Sequence, residues 1–134
     1  MHNPPMLPAR RSGVSRCALL AAVAAALIGC GSATDDRPAK WSFISATIIE
    51  PSCATVNCHS AVAQRAGVDL HDRPTGYRDL TTRNFVAPVD PMGNSALHYL
   101  MMGQGSLRMP PDSPLPEADI VLIDNWIRAG ALND

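Results

Sequence analysis

The sequence has few aromatic residues, almost no net charge and no apolar run long enough to cross a membrane. Only six of its 134 residues are Phe, Trp or Tyr, so the chain has little material for an ordinary hydrophobic core. Its 11 basic residues nearly balance 12 acidic ones, which argues against the clustered positive surface of a nucleic-acid-binding protein. The longest apolar run, 17–28, has 12 residues, whereas a membrane-spanning helix needs about 20.

Residues 1–29 are predicted to form a bacterial lipoprotein signal peptide. Three arginines precede the apolar run 17–28, and a Leu-Ile-Gly-Cys lipobox ends at Cys30. Cleavage before Cys30 would make it the acylated first residue of the mature chain and a stable membrane anchor. An ordinary secretory signal with cleavage near Ala33 is the alternative. Either signal exports the domain to a compartment where disulfides and haem attachment can form.

The mature chain divides into a tether and a folded domain. Residues 30–40 are polar and have no apolar period, which is typical of a linker. Residues 41–134 carry the expected domain. Loss of the three leader arginines leaves 8 basic against 12 acidic residues. Gly31 stands where some bacteria use aspartate as an inner-membrane retention signal. We therefore favour the outer membrane, with the domain in the periplasm or at the cell surface.

Hydrophobic periodicity predicts a small, mostly α-helical domain with helices at both ends and irregular loops between them. The first helix is expected over 41–50, where apolar residues recur at helical spacing, and Pro51 is expected to end it. The last helix begins at Pro116 and is closed by Gly130. Its apolar stripe consists of Ile120, Ile123, Ile127 and the flanking Trp126.

The middle of the chain is predicted to hold only short helices. One is expected over 60–66 and a single helical turn over 77–80. The Pro-Thr-Gly sequence at 74–76 indicates a turn between them. Ser95 is a favourable N-cap for a third short helix that ends at Met102.

A Cys-Ala-Thr-Val-Asn-Cys-His stretch, residues 53–59, carries the chemistry. Two cysteines followed at once by a histidine indicate covalent attachment of one c-type haem. Cys53 and Cys58 can add to the haem vinyl groups, and His59 can ligate the iron. Four residues separate the cysteines instead of the usual two. The segment must therefore bulge if both sulfurs are to reach the haem, and a single thioether is an open alternative.

Two other interpretations of these cysteines remain. Cys53 and Cys58 can form a small disulfide loop in an oxidising compartment. Alternatively they can bind another metal such as zinc together with His59. Zinc is disfavoured because adjacent Cys58 and His59 are awkward ligands for one tetrahedral ion, and because the sequence has no second Cys/His pair.

A second iron ligand must come from the opposite face of the haem. Met109 is the preferred candidate because it precedes two prolines in a stiff loop and lies fifty residues after His59. His/Met ligation is typical of electron-transfer iron. The other candidates are two histidines and three methionines, for which packing or solvent exposure is the simpler interpretation: His71, His98, Met92, Met101 and Met102.

With these residues in view, the chain resembles the small c-type cytochromes of the Planctomycete cytochrome C group and related haem lipoproteins. The resemblance covers about 41–132. The matching pieces are Pro51–Ser60, Gly67–Leu70, Val89–Pro91, Ser95–Leu97, Met109–Pro111, Leu115–Pro116 and Trp126–Ala131. The resemblance implies a cytochrome c-like fold whose loops wrap a haem and whose first and last helices cross beside it. It also implies covalent haem at Cys53 and Cys58, with His59 as the proximal ligand and Met109 as the distal one.

The expected function is single-electron transfer by a lipid-anchored monohaem cytochrome in the bacterial cell envelope. Its partners would be redox proteins of the envelope and, through Cys30, a membrane. We expect an electron carrier and not an enzyme. The alternatives are a haem peroxidase or sensor with an open distal site, and a structural or interaction lipoprotein with a Cys53–Cys58 disulfide and no cofactor.

Overall fold

A computed structural model of the chain describes residues 35–87, 90, 92–103 and 107–134. The predicted signal peptide and the predicted lipidation site, Cys30, lie outside the described residues. The described part is mostly α-helical and contains no β-strand, as the periodicity predicts. No helix within these ranges is both long and apolar enough to cross a membrane.

The first helix, α1, continues past the proline that was expected to end it. It consists of an α-helical section Trp41–Ile44, a π-helical section Ser45–Ile49 and a second α-helical section Glu50–Cys53. In the wide π turn the Glu50 N–H donates to the Ser45 carbonyl, five residues back. Such a turn loosens the backbone that a proline ring would otherwise strike. The prediction that Pro51 ends the helix is therefore wrong, and α1 extends to the first cysteine of the motif.

The second helix, α2, spans Arg73–Thr82 and was predicted only as a turn followed by a single helical turn. The Asp72 side chain accepts a hydrogen bond from the Thr75 N–H at 2.8 Å, so Asp72 is its N-cap. Pro74 then sits in the first turn, where its missing N–H costs nothing. The Pro-Thr-Gly signal was thus a helix start and not a loop.

The helix expected over 60–66 does not form. Turns occupy this stretch and lead into a 3-10 helix, Arg65–Gly67. Gln64 and Ala66 have φ values of 39° and 56°, which a right-handed helix does not allow. The chain therefore reverses direction here and returns alongside the Cys-His segment.

The two C-terminal helices agree with the sequence-based expectation. α3 spans Ala96–Met102, and its Ser95 N-cap accepts a hydrogen bond from the His98 N–H at 3.1 Å. α4 spans Glu117–Arg128 and buries the predicted apolar stripe. Gly130 follows with a φ of 106°, a left-handed conformation typical of a helix C-cap.

The core lies where α1, α2 and α4 meet. Trp41 and Trp126 are fully buried and stack with ring centroids 5.0 Å apart. Gly76 of α2 packs against Trp41, since a Cβ at this position would lie 3.4 Å from the Trp41 ring. Both indoles donate to backbone carbonyls, Trp41 to Arg73 and Trp126 to Leu132. This packing anchors the start of α1, at the opposite end of the helix from the cysteine motif.

Asp134 caps the first helix. The Asp134 carboxylate accepts a hydrogen bond from the Trp41 N–H at 2.9 Å, and the Asp134 carbonyl accepts one from the Ser42 N–H. Lys40 lies 3.8 Å from the same carboxylate. The negative side chain thus sits at the positive end of the α1 dipole.

Candidate functional site

The Cys-His motif begins at the end of α1 and closes into a compact loop. The His59 N–H donates to the Cys53 carbonyl at 3.1 Å, and the Cys58 N–H donates to the Thr55 carbonyl at 2.9 Å. The Arg65 N–H donates to the Cys58 carbonyl at 3.0 Å. The extra residues between the cysteines are therefore accommodated in a hydrogen-bonded turn that brings His59 back to the helix end.

Cys53 and Cys58 are free thiols in this structure, and both are half-buried. Cys53 packs against the hydrophobic core. Burial, with a smaller effect of the neighbouring Cys58, raises the pKa of Cys53 to about 11. The Cys53 sulfur is therefore a neutral thiol at physiological pH in this conformation.

His59 makes three contacts with neighbouring backbone, one through its N–H, one through its carbonyl and one through its ring. Its N–H donates to Cys53 as described, and its carbonyl accepts a hydrogen bond from the Leu70 N–H at 2.8 Å. Its ring Nδ1 lies 3.2 Å from the Val68 carbonyl oxygen. Residues 68–70 therefore run beside the Cys-His loop, and we call them the support strip.

The Val68 contact determines which ring nitrogen of His59 is available. A carbonyl oxygen only accepts hydrogen bonds, so Nδ1 must carry the hydrogen. In the neutral ring, Nε2 then has no hydrogen and keeps its lone pair. Histidines that bind metals usually donate their other ring N–H to a carbonyl or carboxylate in this way. Nε2 is thus the ring nitrogen of His59 whose lone pair remains available to a ligand.

A buried carboxylate fastens the support strip to α2. The Asp79 Oδ2 accepts a hydrogen bond from the Asp69 N–H at 2.9 Å, and Asp69 and Asp79 are both buried. This backbone hydrogen bond, aided by Arg78, lowers the pKa of Asp79 below its ordinary value. Arg83 donates from its guanidinium to the Gly67 carbonyl just before the strip.

A cleft of about 350 Å³ lies between the cysteine segment and the proline-rich loop that follows Met109. Its first wall contains Cys58 and parts of residues 51–55, and its second wall is formed by 110–116. His59 and Met109 are not among the residues that line it, although each adjoins one that is. The fold therefore brings the motif and the Met109 loop to opposite walls of one cleft.

Met109 directly precedes the second wall of the cleft, and its backbone is hydrogen bonded to α3. Its N–H donates to the Leu100 carbonyl of α3 at 2.9 Å, and the residue is 38% exposed. The other methionine candidates differ from it. Met101 is buried in the core, whereas Met92 and Met102 are exposed at 78% and 53%.

Both alternative histidine candidates are bound to carboxylates. His71 Nδ1 lies 2.8 Å from Asp69, and its Nε2 lies 3.2 Å from Asp72. His98 Nδ1 of α3 lies 2.8 Å from Asp124 of α4. His71 thus has neither ring nitrogen free, while His98 ties two helices together.

No group of three or more His, Cys, Asp and Glu side chains suited to a metal ion occurs among the described residues. Comparisons with protein-family models, with curated proteins and with solved structures found no match for this chain.

Val68 and Asp79 are the functional candidates that the sequence did not single out. Val68 contributes a backbone carbonyl, which its side chain cannot reveal. Asp79 lies in an unpredicted helix, where an acidic residue ordinarily indicates a solvent-facing position. The one available signal was the Gly-Val-Asp-Leu sequence, which belongs to the family resemblance.

Proposed function

We propose that this protein is a lipid-anchored monohaem c-type cytochrome that carries single electrons in the bacterial cell envelope. Haem would be attached through Cys58 and Cys53, with His59 as the proximal ligand and Met109 as the distal one. The bound haem would supply a one-electron iron centre whose potential His/Met ligation raises. Cys30 would carry the lipid anchor.

The orientation of the His59 ring is the observation that carries this proposal. Nδ1 is committed to the Val68 carbonyl, so Nε2 is the free donor atom. His59 follows directly after Cys58, which lies in the cleft wall. A thioether at Cys58 would therefore hold a haem beside the nitrogen that has to reach its iron.

The donor set also fits haem in other respects. Both thiols are free to form thioethers, and the cleft separates the motif from the Met109 loop. The contacts of His71 with Asp69 and Asp72 leave it poorly suited to ligate iron. The free thiols, the cleft and the contacts of His71 therefore support His59 and Met109 as the two iron ligands.

The first test is expression of the full chain in a host that matures c-type cytochromes. We expect an intact mass increased by one haem and a haem-stained band on a denaturing gel. An exported protein that retains no covalent haem would refute the proposal. In that case, thiols that react only after reduction would identify the disulfide lipoprotein instead.

Variants assign the attachment sites. We expect Cys58→Ser to abolish or strongly reduce covalent haem, since the remaining thioether would lie six residues from the ligand. Cys53→Ser should keep haem on Cys58 and change the visible spectrum of the pyridine haemochrome towards that of a single thioether. A Cys53→Ser spectrum identical to wild type would show that Cys53 is not bonded to haem.

A matched pair of methionine variants tests the distal ligand. Met109→Ala should remove the sulfur-to-iron absorption band of the oxidised protein and lower its midpoint potential, because thioether ligation favours ferrous iron. Met102→Ala is the control, since Met102 is also partly exposed on nearby α3. Equal spectra for Met109→Ala and wild type would exclude Met109 as the ligand and favour a sensor or peroxidase with an open site.

The anchor is tested separately from the haem. We expect Cys30→Ser to release the protein from the membrane fraction, while the haem content of the exported chain is retained. Fractionation of wild-type cells would then show which membrane carries it. Membrane association of a Cys30→Ser chain whose intact mass shows that the leader has been removed would contradict lipidation at this residue.

A further inference from the structure

His71 lies between two carboxylates, and this arrangement calls for a doubly protonated ring. Its Nδ1 is hydrogen bonded to Asp69 Oδ1 at 2.8 Å. Its Nε2 lies 3.2 Å from Asp72 Oδ2. A carboxylate only accepts hydrogen bonds. A neutral ring that donates from Nδ1 would turn the Nε2 lone pair towards the negative oxygen of Asp72, which is repulsive.

The two carboxylates belong to parts of the fold that matter for His59. Asp69 is the middle residue of the support strip, between the Val68 carbonyl and the Leu70 N–H that contact His59. Asp72 is the N-cap of α2. The His71 backbone N–H also donates to Asp69 at 3.1 Å. Loss of a proton from His71 therefore weakens a contact at the junction between the support strip and α2.

We propose that His71 is a proton-operated clasp that ties the support strip to the start of α2 when its ring carries two hydrogens and releases Asp72 when it carries one. The clasp itself is independent of haem. If His59 ligates iron, as the proposed function requires, the clasp makes the hold of the support strip on this ligand depend on pH. No other group needs to gain or lose a proton for the clasp to open.

The charges around His71 all favour the closed clasp. Asp69 raises the pKa of His71 most strongly, against an opposing effect of burial, and Asp72 and Glu50 of α1 raise it further. The ring is about 40% exposed, so protons exchange with solvent. A histidine with a raised pKa contributes stability fully below its unfolded pKa of about 6.5, and this contribution disappears as the pH rises through the folded pKa.

The first experiment compares the full-length wild-type protein with His71→Gln by urea unfolding. At about pH 5.5 we expect the folding equilibrium constant of wild type to exceed that of His71→Gln by about fivefold, which suits two partly exposed ion pairs. At about pH 9 the ratio should approach one. A ratio that is the same at both pH values would overturn the proposal.

The second experiment follows the titration of the His71 ring by NMR. It does not depend on the stability of the His71→Gln variant. Asp72→Asn should move the titration midpoint of the His71 Cε1 proton to lower pH, because the second carboxylate is gone. Asp36→Asn removes the same charge from an exposed residue that is not among the charges acting on His71, and it should leave the midpoint unchanged. An unchanged midpoint in Asp72→Asn, or equal shifts in both variants, would contradict the clasp.

The connection to His59 has its own measurement. Hydrogen exchange of the Leu70 amide, which is bonded to the His59 carbonyl, should be about fivefold faster in His71→Gln than in wild type at about pH 5.5, because the strip opens more often. Equal Leu70 exchange would refute the link between the clasp and His59. These readings can be taken on haem-loaded or haem-free protein, so a colourless product would refute the cytochrome and leave the clasp fully testable.

Discussion

Removal of the Asp79 carboxylate should loosen the segment that holds His59. Asp79 accepts the hydrogen bond of the Asp69 N–H at 2.9 Å in a buried setting. In Asp79→Ala this N–H is left without a partner and away from water. The affected residue lies inside the support strip, so the loss acts directly on the backbone beside His59.

The size of the effect follows from the kind of hydrogen bond. A hydrogen bond to a charged acceptor contributes about 1.5–3 kcal/mol, and a neutral one about 0.5–1.5 kcal/mol. We therefore expect Asp79→Ala to lower the free energy of unfolding by about 2–3 kcal/mol. Asp79→Asn keeps an oxygen for the Asp69 N–H and should lose only about 1 kcal/mol. Arg78, which also contacts Asp79, is exposed and can turn to solvent.

The pH dependence gives a second check on the same carboxylate. The pKa of Asp79 is lowered from its ordinary value of 3.8, chiefly by the Asp69 N–H. A lowered pKa means that the stabilisation is complete above the unfolded pKa and is lost as the pH falls through the folded pKa. The advantage of wild type over Asp79→Asn should therefore be constant near neutral pH and shrink below about pH 4.

Urea unfolding monitored by tryptophan fluorescence measures these differences, because both tryptophans lie in the core. The slope of the unfolding free energy against urea should be similar in all three proteins, so that the midpoints can be compared. An Asp79→Ala protein as stable as wild type would refute the reasoning. So would an Asp79→Asn protein that is as unstable as Asp79→Ala, since the hydrogen bond would then not be the cause.

Three further predictions concern the scaffold, each measured by urea unfolding. Trp41→Ala should lower the free energy of unfolding by about 3–5 kcal/mol, because the indole is fully buried and stacked on Trp126; a loss below about 1 kcal/mol would contradict that packing. Ser95→Ala should cost about 1 kcal/mol through loss of the α3 N-cap, and a Ser95→Ala protein as stable as wild type would contradict the cap. Asp134→Ala should cost about 1 kcal/mol by uncapping α1, and a larger loss in Asp134→Asn than in Asp134→Ala would argue against the cap.

The sequence predicted best those elements whose signals are local. The N-cap of α3 and the apolar stripe of α4 depend on residues within two turns of each other, and the structure has both. α2 was missed because Asp72 and Pro74 look equally suited to a turn. The packing of Gly76 on Trp41, more than thirty residues away, is what makes a glycine acceptable inside that helix.

The extension of α1 through Pro51 was missed for a similar reason. A proline inside a helix is normally a stop signal, and no nearby residue announces the π turn that accommodates it. Because α1 continues, Cys53 is placed at a helix end instead of in a loop. The His59 N–H can then return to the Cys53 carbonyl, which gives the long cysteine spacing its shape.

The sequence by itself determined which reactive residues are present: a cysteine after Leu-Ile-Gly, two further cysteines, an adjacent histidine and a methionine before two prolines. Residue types and their spacing carry that information directly. Only the tertiary structure decided which nitrogen of His59 is free, because that depends on the Val68 carbonyl, nine residues away and set by a chain reversal. It likewise decided that His71 faces two carboxylates. Every residue type carries the same backbone carbonyl, so the sequence does not indicate which carbonyl a distant side chain will contact.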